Sequence, residues 1–271
     1  MSAVTWDAHR ERDRGLEPPS RLLWFAEARS LGELGLTLAS APLLLGGPRG
    51  DGHPVLALPG LLASDLSTHL LRRFLSLMGY DARAWKLGRN VGGIDRMRAT
   101  LCDRVESIRN ETGRKVSLIG WSLGGIYARL LAHDCPDWVR SVITLGSPFT
   151  RNPNASNVSD VYELLSGEGP SREERTARRL DPHEFDRIAD DLSVPSSSIF
   201  TKLDGIVNWR ASLLRANERS ENIEVIGASH IGLGVNPAVL WAIADRLAQR
   251  EGEFVPFARG GPFALAYGNT R

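Results

Sequence analysis

From residue 54 onward, short apolar runs alternate with amphipathic segments of helical period, and this alternation restricts the fold more than any other feature. The apolar runs are unbroken, which is typical of strands buried on both faces of a parallel sheet. We predict strands at residues 55–58, 80–87, 115–119, 139–145, 197–200 and 223–226, and helices at residues 64–78, 94–108, 123–133 and 237–249. This order predicts an α/β fold with a mostly parallel, doubly wound sheet and helices on both faces.

The residues before the first strand differ from the rest. Residues 1–20 are rich in charge with no apolar segment close behind, so we predict a polar N-terminal tail rather than a secretory signal, and a cytoplasmic protein. Residues 21–271 are predicted to form a single domain. Residues 22–45 are the most apolar stretch, but Glu27, Arg29 and Glu33 argue against a transmembrane segment. We predict an amphipathic helix ending near residue 41; a helix on a membrane surface is the alternative, although its polar face lacks the expected Lys and Arg residues.

Residues 150–195 interrupt the alternation of strands and helices. The segment holds the turn-forming sequences Asn-Pro-Asn and Gly-Glu-Gly-Pro and a run of Arg and Glu residues. So long a connection is uncommon in a compact domain unless it has a function. We predict a helical cap inserted over an active site; a solvated insertion without such a role is the alternative.

Composition excludes several function classes. The chain has 33 Lys and Arg residues against 32 Asp and Glu residues, so its net charge of +1 creates no general field for nucleic acid or an anionic membrane. Two cysteines, Cys102 and Cys135, are too few for a disulfide framework, and we predict two reduced thiols, with a single bridge as the alternative. Their spacing is not that of a zinc site, and we predict no metal and no other cofactor.

Residues 120–124 read Gly-Trp-Ser-Leu-Gly and match the pattern G-x-S-x-G. The pattern alone is weak, because about 0.2 matches are expected by chance from the Gly and Ser content. Its context is more specific, since a predicted strand precedes it and a predicted helix follows. A nucleophilic serine stands in such a strand–turn–helix at the carboxyl edge of a sheet. We predict that Ser122 is a nucleophile; the alternative is a glycine-rich turn with an inactive serine.

A serine hydroxyl needs a general base, and the chain offers six histidines. Only His230 follows a predicted strand, on the side of the sheet where Ser122 is expected. The base in turn needs an acid that orients the imidazole and stabilises its protonated form. Asp204, after the penultimate predicted strand, is our candidate, although Asp-Gly pairs are also common in ordinary turns.

The oxyanion of a tetrahedral intermediate needs preorganised N–H donors. We predict the backbone N–H of Leu123, directly after the nucleophile, and that of Leu61, in the loop after the first strand. The N–H of Leu62 is the alternative to that of Leu61. Leu62 and Trp121 are also candidates for the substrate pocket, because they add apolar bulk beside Ser122. Residues 87–92 are predicted to form a polar loop, with a position at the mouth of the cleft as the alternative.

Together these motifs make the chain resemble the α/β-hydrolase superfamily, and within it the lipase- and esterase-like members. The resemblance covers residues 54–250 and rests on residues 58–61, 120–125, 145–148, 204–207 and 229–230 and on the chain order Ser, Asp, His. It implies the α/β-hydrolase fold, a Ser122–His230–Asp204 triad, an acyl-enzyme intermediate and a cap between the sixth and seventh strands of the family's sheet. Many relatives carry His-Gly where this chain has Pro59-Gly60, so no histidine supports this oxyanion loop.

The expected function is a serine hydrolase that cleaves carboxylic esters, with a small-molecule ester of aliphatic acyl type as substrate. A thioesterase or an acyltransferase would use the same triad, and a catalytically silent binding protein is a third alternative. Long-chain lipids and soluble esters are both open as substrates, and so is association into homo-oligomers.

Overall fold

The computed structural model describes residues 16–149, 155–157 and 187–269. Within them a single sheet has the strand order β2-β1-β3-β4-β5-β6, and all its described pairs are parallel. The strands are β1 (Pro54–Leu58), β2 (Asp81–Ala84), β3 (Val116–Trp121), β4 (Val139–Leu145), β5 (Ser196–Phe200) and β6 (Ser220–Glu224). The chain reverses its direction across the sheet between β1 and β3, and in doubly wound sheets ligands bind at the carboxyl ends of such a strand pair.

The described helices cover both faces of the sheet. They are α1 (Arg21–Phe25), α2 (Ser30–Ala39), α3 (Ala41–Leu45), α4 (His69–Leu77), α5 (Ile94–Thr112), α6 (Leu123–Asp134) and α7 (Pro237–Leu247). On β1, Val55 packs in the core beneath α4 and α7, whereas Leu56 packs in the core beneath α5 and α6. Successive side chains of a strand point to opposite faces, so both must be apolar here. This explains the unbroken apolar runs and confirms the predicted α/β fold.

Several predicted boundaries differ from the structure. The last strand is Ser220–Glu224 rather than residues 223–226, because its first residues are polar and lie at the edge of the sheet, where Glu221 pairs with Arg246. The second strand ends at Ala84 rather than at residue 87. The helix predicted from residue 64 begins at His69, since residues 64–68 form hydrogen-bonded turns.

The N-terminal helical segment differs from the prediction in two ways. It is divided into shorter helices, and polar side chains of one of them face the protein while its leucines face outward. The single helix predicted over residues 22–41 is α1, a 3-10 turn (Ala26–Arg29), α2 and α3. On α2 the polar side chains of Glu33 and Thr37 are buried, whereas its leucines, among them Leu31 and Leu38, are largely exposed. Burial of the polar stripe means that its partners are groups of the protein rather than water. No helix in the described part of the chain has the length and apolar character needed to cross a bilayer.

The segments outside the core fit the predictions only in part. Residues 16–20, predicted to belong to a polar tail, lie against the protein, with Leu16 buried beside Ile206 and Val207. Most of the predicted cap, residues 150–154 and 158–186, lies outside the described residues. Its C-terminal end is held by the buried Arg129 guanidinium, which donates to the carbonyl groups of Ile188 and Asp190.

The two cysteines lie near each other on α5 and after α6. Both are free in the structure, as predicted. Burial raises the pKa of the Cys102 thiol, and it raises the pKa of the Cys135 thiol to about 12. Thiols with raised pKa values are poor nucleophiles, so these are packing residues rather than reactive groups.

Candidate active site

Ser122 lies in the tight turn between β3 and α6. Its backbone has φ 52° and ψ −119°, a strained conformation for a residue with a side chain. A Cβ atom on Gly120 would lie 2.3 Å from the Gly124 carbonyl oxygen, and a Cβ atom on Gly124 would lie 2.2 Å from the Leu58 carbonyl oxygen. Both glycines of the motif are therefore required by close packing. The turn presents a partly exposed Ser122 at the carboxyl end of β3.

Asp204 and His230 form a buried pair at the same edge of the sheet. Asp204 follows β5 and His230 follows β6, and their side chains are 2% and 6% exposed. His230 Nδ1 lies 2.7 Å from Asp204 Oδ2. Asp204 Oδ1 accepts the backbone N–H groups of Ile206 and Val207 at 2.8 and 2.7 Å, which fixes the carboxylate. Because a carboxylate accepts, Nδ1 carries the ring proton in neutral His230 and Nε2 is left with a lone pair.

The protonation of His230 follows from its buried surroundings. Burial alone lowers the pKa of an imidazole, but the charge of Asp204, its hydrogen bond and the charge of Glu27 outweigh that effect and raise the pKa of His230. The site therefore stabilises an imidazolium. A base that becomes protonated during a reaction needs this property.

The loops after β1, β3 and β6 converge at this edge. A Cβ atom built on Gly60, in the loop after β1, would lie 3.3 Å from Ser122 Cβ and 4.0 Å from Ser122 Oγ. The indole N–H of Trp121, next to Ser122, donates to the carbonyl oxygen of His230 at 3.1 Å. The structure thus brings the predicted nucleophile turn, oxyanion loop and histidine loop together.

The predicted oxyanion donors are backbone N–H groups at this edge. The N–H of Leu62, the alternative donor, already donates to the Asn90 carbonyl oxygen at 2.6 Å. By contrast, the N–H groups of Leu61 and Leu123 have no acceptor within the described parts of the chain. They remain the two candidates that the sequence suggested.

Comparison with solved structures identifies the fold. A monoacylglycerol lipase from Paleococcus ferrophilus matches with a TM-score of 0.52 at 18% identity, over 74% of this chain and 96% of the other. An α/β superfamily hydrolase from Oenococcus oeni matches with a TM-score of 0.53 at 19% identity, over 74% of this chain and 94% of the other. The chain has the α/β-hydrolase fold. No family model and no curated protein matches the sequence.

In this α/β-hydrolase fold, Asn90 supports residues 59–63, the predicted oxyanion loop. Asn90 is 1% exposed, and its side-chain N–H donates to the Pro59 carbonyl oxygen at 2.9 Å. Its backbone N–H donates to the Ala63 carbonyl oxygen at 2.8 Å, and its carbonyl accepts from Leu62. Residues 87–92 are thus a polar loop in which Asn90 holds residues 59–63 through hydrogen bonds. Sequence reasoning missed this role, because a single Asn in a polar loop carries no recognisable signal.

A second Asp–His–Ser series lies at the opposite, amino-terminal edge of the sheet. His53 Nδ1 contacts Asp51 at 2.5 Å, and His53 Nε2 contacts Ser117 Oγ at 2.9 Å. Ser117 Oγ also forms a hydrogen bond with Ser141 Oγ at 2.9 Å. His53 and Ser117 are fully buried, and burial lowers the pKa of His53. Although Asp51 is 47% exposed, the His53 ring and the Ser117 hydroxyl are closed to a substrate, so we interpret this series as a structural network.

The residues predicted around the substrate pocket differ in their packing. Leu61, Leu62 and Leu123 are partly exposed around Ser122, while the Trp121 ring packs against the core under α7. Their role in a substrate pocket stays a prediction. In the described part of the chain, no group of three or more His, Cys, Asp or Glu side chains is arranged to hold a metal ion.

Proposed function

We propose that the protein is a serine hydrolase that cleaves carboxylic esters through an acyl-enzyme intermediate. One observation carries the proposal: a strained, partly exposed Ser122 stands at the same sheet edge as the buried Asp204–His230 pair. The similarity in fold to proteins described as a lipase and a hydrolase supports it.

Each step of the proposed reaction has a candidate residue. His230 Nε2 accepts the Ser122 hydroxyl proton while Ser122 Oγ attacks the carbonyl carbon of the ester. Asp204 holds the ring and stabilises the imidazolium, and the N–H groups of Leu61 and Leu123 donate to the oxyanion. The intermediate collapses, and the leaving alkoxide takes the proton from His230. Water, deprotonated by His230, then attacks the acyl-enzyme, releases the carboxylic acid and regenerates Ser122.

The acyl group is proposed to be aliphatic. Three partly exposed leucines offer apolar surface near the nucleophile: Leu123 directly follows Ser122, and Leu61 and Leu62 follow Gly60, which lies close to Ser122. A panel of p-nitrophenyl esters of increasing chain length measures this preference through kcat/KM. A preference for charged acyl groups over every aliphatic ester would contradict the proposal.

The central experiment compares Ser122→Ala with the wild type on p-nitrophenyl butyrate. We expect kcat to fall by about 10⁴-fold or more in the variant, and a fluorophosphonate probe to label the wild type at Ser122 alone. Ser117→Ala is the matched control, because Ser117 lies on β3, the strand that leads to Ser122, and contacts His53 of the second Asp–His pair. Retention of wild-type kcat by Ser122→Ala would overturn the assignment. Added thioesters and alcohol acceptors, scored by product analysis, separate hydrolysis of esters from thioester cleavage and acyl transfer.

A further inference from the structure

A carboxylate from outside the sheet lies against the loop that carries the base. Glu27, in the 3-10 turn between α1 and α2, is 4% exposed. Its Oε1 accepts the backbone N–H of His230 at 3.0 Å and that of Gly205 at 2.8 Å, and its Oε2 accepts that of Ile231 at 2.9 Å. One side chain therefore ties the loop after β5, which holds Asp204, to the loop after β6, which holds His230.

The surrounding contacts are fitted to this bridge. A Cβ atom on Gly205 would lie 2.3 Å from the Leu23 carbonyl oxygen, so α1 approaches the acid loop at a point where a side chain has no room. The Arg29 guanidinium donates to the carbonyl groups of Leu203 and Ala228, one on each loop, at 2.6 and 2.8 Å. Backbone donors and acceptors of both loops are thus bound by neighbouring residues of one turn.

Glu33, six residues after Glu27, extends the same contact. It is 7% exposed and accepts from the Ser229 N–H at 2.9 Å, from the Ser229 hydroxyl at 2.5 Å and from Asn236 Nδ2 at 2.7 Å. Ser229, the residue before His230, is therefore also held by hydrogen bonds to a buried carboxylate. This explains why the polar side chains of α2 face inward while its leucines face outward.

We propose that Glu27 is a positioning residue for the general base, so that the N-terminal segment of residues 21–39 belongs to the catalytic machinery. The inference rests on the proposed function. The carboxylate fixes the backbone of His230 relative to Asp204, and its negative charge adds to that of Asp204 when the imidazolium forms. In the described part of the chain, the charged side chains hydrogen-bonded to the His230 loop are Asp204, Glu27, Glu33 and Arg29.

The test compares Glu27→Gln with a matched control, Glu221→Gln. Glu221 is also a carboxylate with three donors, and its side chain is 12% exposed: the donors are the Ser197 hydroxyl at 2.9 Å, Arg246 Nη1 at 2.8 Å and the Phe257 N–H at 2.7 Å. It lies on β6 and touches none of the proposed catalytic groups. For each full-length protein, kcat on p-nitrophenyl butyrate is normalised to the fraction labelled by the fluorophosphonate, and kcat/KM is measured against pH.

We expect Glu27→Gln to lower kcat by about 10- to 100-fold and to move the acidic limb of kcat/KM to lower pH. Glu27→Asp keeps the charge but is too short to reach all three N–H groups, so it should lower kcat while its acidic limb stays near that of the wild type. Glu221→Gln should lose stability and keep both kinetic features.

The outcomes separate the two proposals. A wild type that neither reacts nor labels contradicts the hydrolase function itself. An active wild type together with a Glu27→Gln variant of unchanged kcat and unchanged acidic limb overturns the positioning role and leaves the hydrolase proposal standing. Should Glu27→Gln fail to fold, Glu27→Asp decides alone, because unchanged kcat in that variant also overturns the role.

Discussion

Replacement of Asp204 by Asn changes one oxygen of the Asp204–His230 pair and leaves its shape intact. Asp204 Oδ1 accepts two backbone N–H groups, from Ile206 and Val207, so the amide oxygen of Asn must take that position. The amide NH₂ group then faces His230 Nδ1, 2.7 Å away. An NH₂ group only donates, so Nδ1 becomes the acceptor and the ring proton moves to Nε2. His230 then no longer presents a lone pair to Ser122.

The size of the effect follows from this change of tautomer. Loss of the correct tautomer costs about 10⁴-fold in kcat, or about 5 kcal/mol at 1.36 kcal/mol per tenfold. Both backbone hydrogen bonds survive, so the free energy of unfolding should fall by only about 1–3 kcal/mol. The predicted loss of activity is therefore far larger than any loss of folded protein.

Steady-state hydrolysis of p-nitrophenyl butyrate measures kcat, and thermal denaturation measures folding. Asp51→Asn is the matched control, since it alters the Asp–His contact of the second series, at 2.5 Å, on the far edge of the sheet. We expect Asp51→Asn to lose stability and to retain kcat. An Asp204→Asn variant with kcat within tenfold of the wild type would refute the reasoning, and so would equal losses of kcat in the two variants.

Three further predictions use the same assays. Asn90→Ala removes the donor to the Pro59 carbonyl, so the free energy of unfolding should fall by about 1–3 kcal/mol and kcat by about tenfold; unchanged kcat would contradict its support of the oxyanion loop. Because the pKa of His230 is raised above 6.5, activity should be lost as pH falls through a value above 6.5, and an acidic limb below that value would contradict the site electrostatics. Cys102 and Cys135 should react slowly with a disulfide reagent at pH 8 and readily after denaturation; rapid reaction of both in the folded protein would count against their burial.

The central strands were predictable because their residues are apolar on both faces. The strand predicted at residues 139–145 is β4 without any change of boundary, and β1 and β3 differ from their predictions by one or two residues at an end. The boundaries predicted for the edge strand β6 were wrong, because this strand carries Glu221 and Asn222, whose partners come from elsewhere in the chain. A periodicity argument detects burial against apolar neighbours and does not detect such polar pairing.

The residues of the candidate site likewise differ in how well the sequence predicts them. Ser122, Asp204 and His230 each follow a strand, and in a parallel sheet this position alone puts them at one edge. Their catalytic roles stay predictions, while the contact between Asp204 and His230 is present in the structure. Asn90 and Glu27 left no signal, because their contacts join residues 31 and 203 positions apart in the chain. No local pattern specifies a hydrogen bond of that span.

The second Asp–His–Ser series separates hydrogen-bond geometry from catalytic competence. Its histidine contacts both an aspartate and a serine, so a search for triad contacts alone would select Asp51, His53 and Ser117. That series has a fully buried hydroxyl and a histidine whose pKa is lowered, so it neither meets a substrate nor favours an imidazolium. At the other edge, Ser122 is partly exposed, two N–H groups lack acceptors among the described residues, and the pKa of His230 is raised. Three features thus favour chemistry at Ser122: its backbone turn, its exposure and the negative charge that raises the pKa of His230. A fluorophosphonate that labelled Ser117 instead of Ser122 would contradict this conclusion.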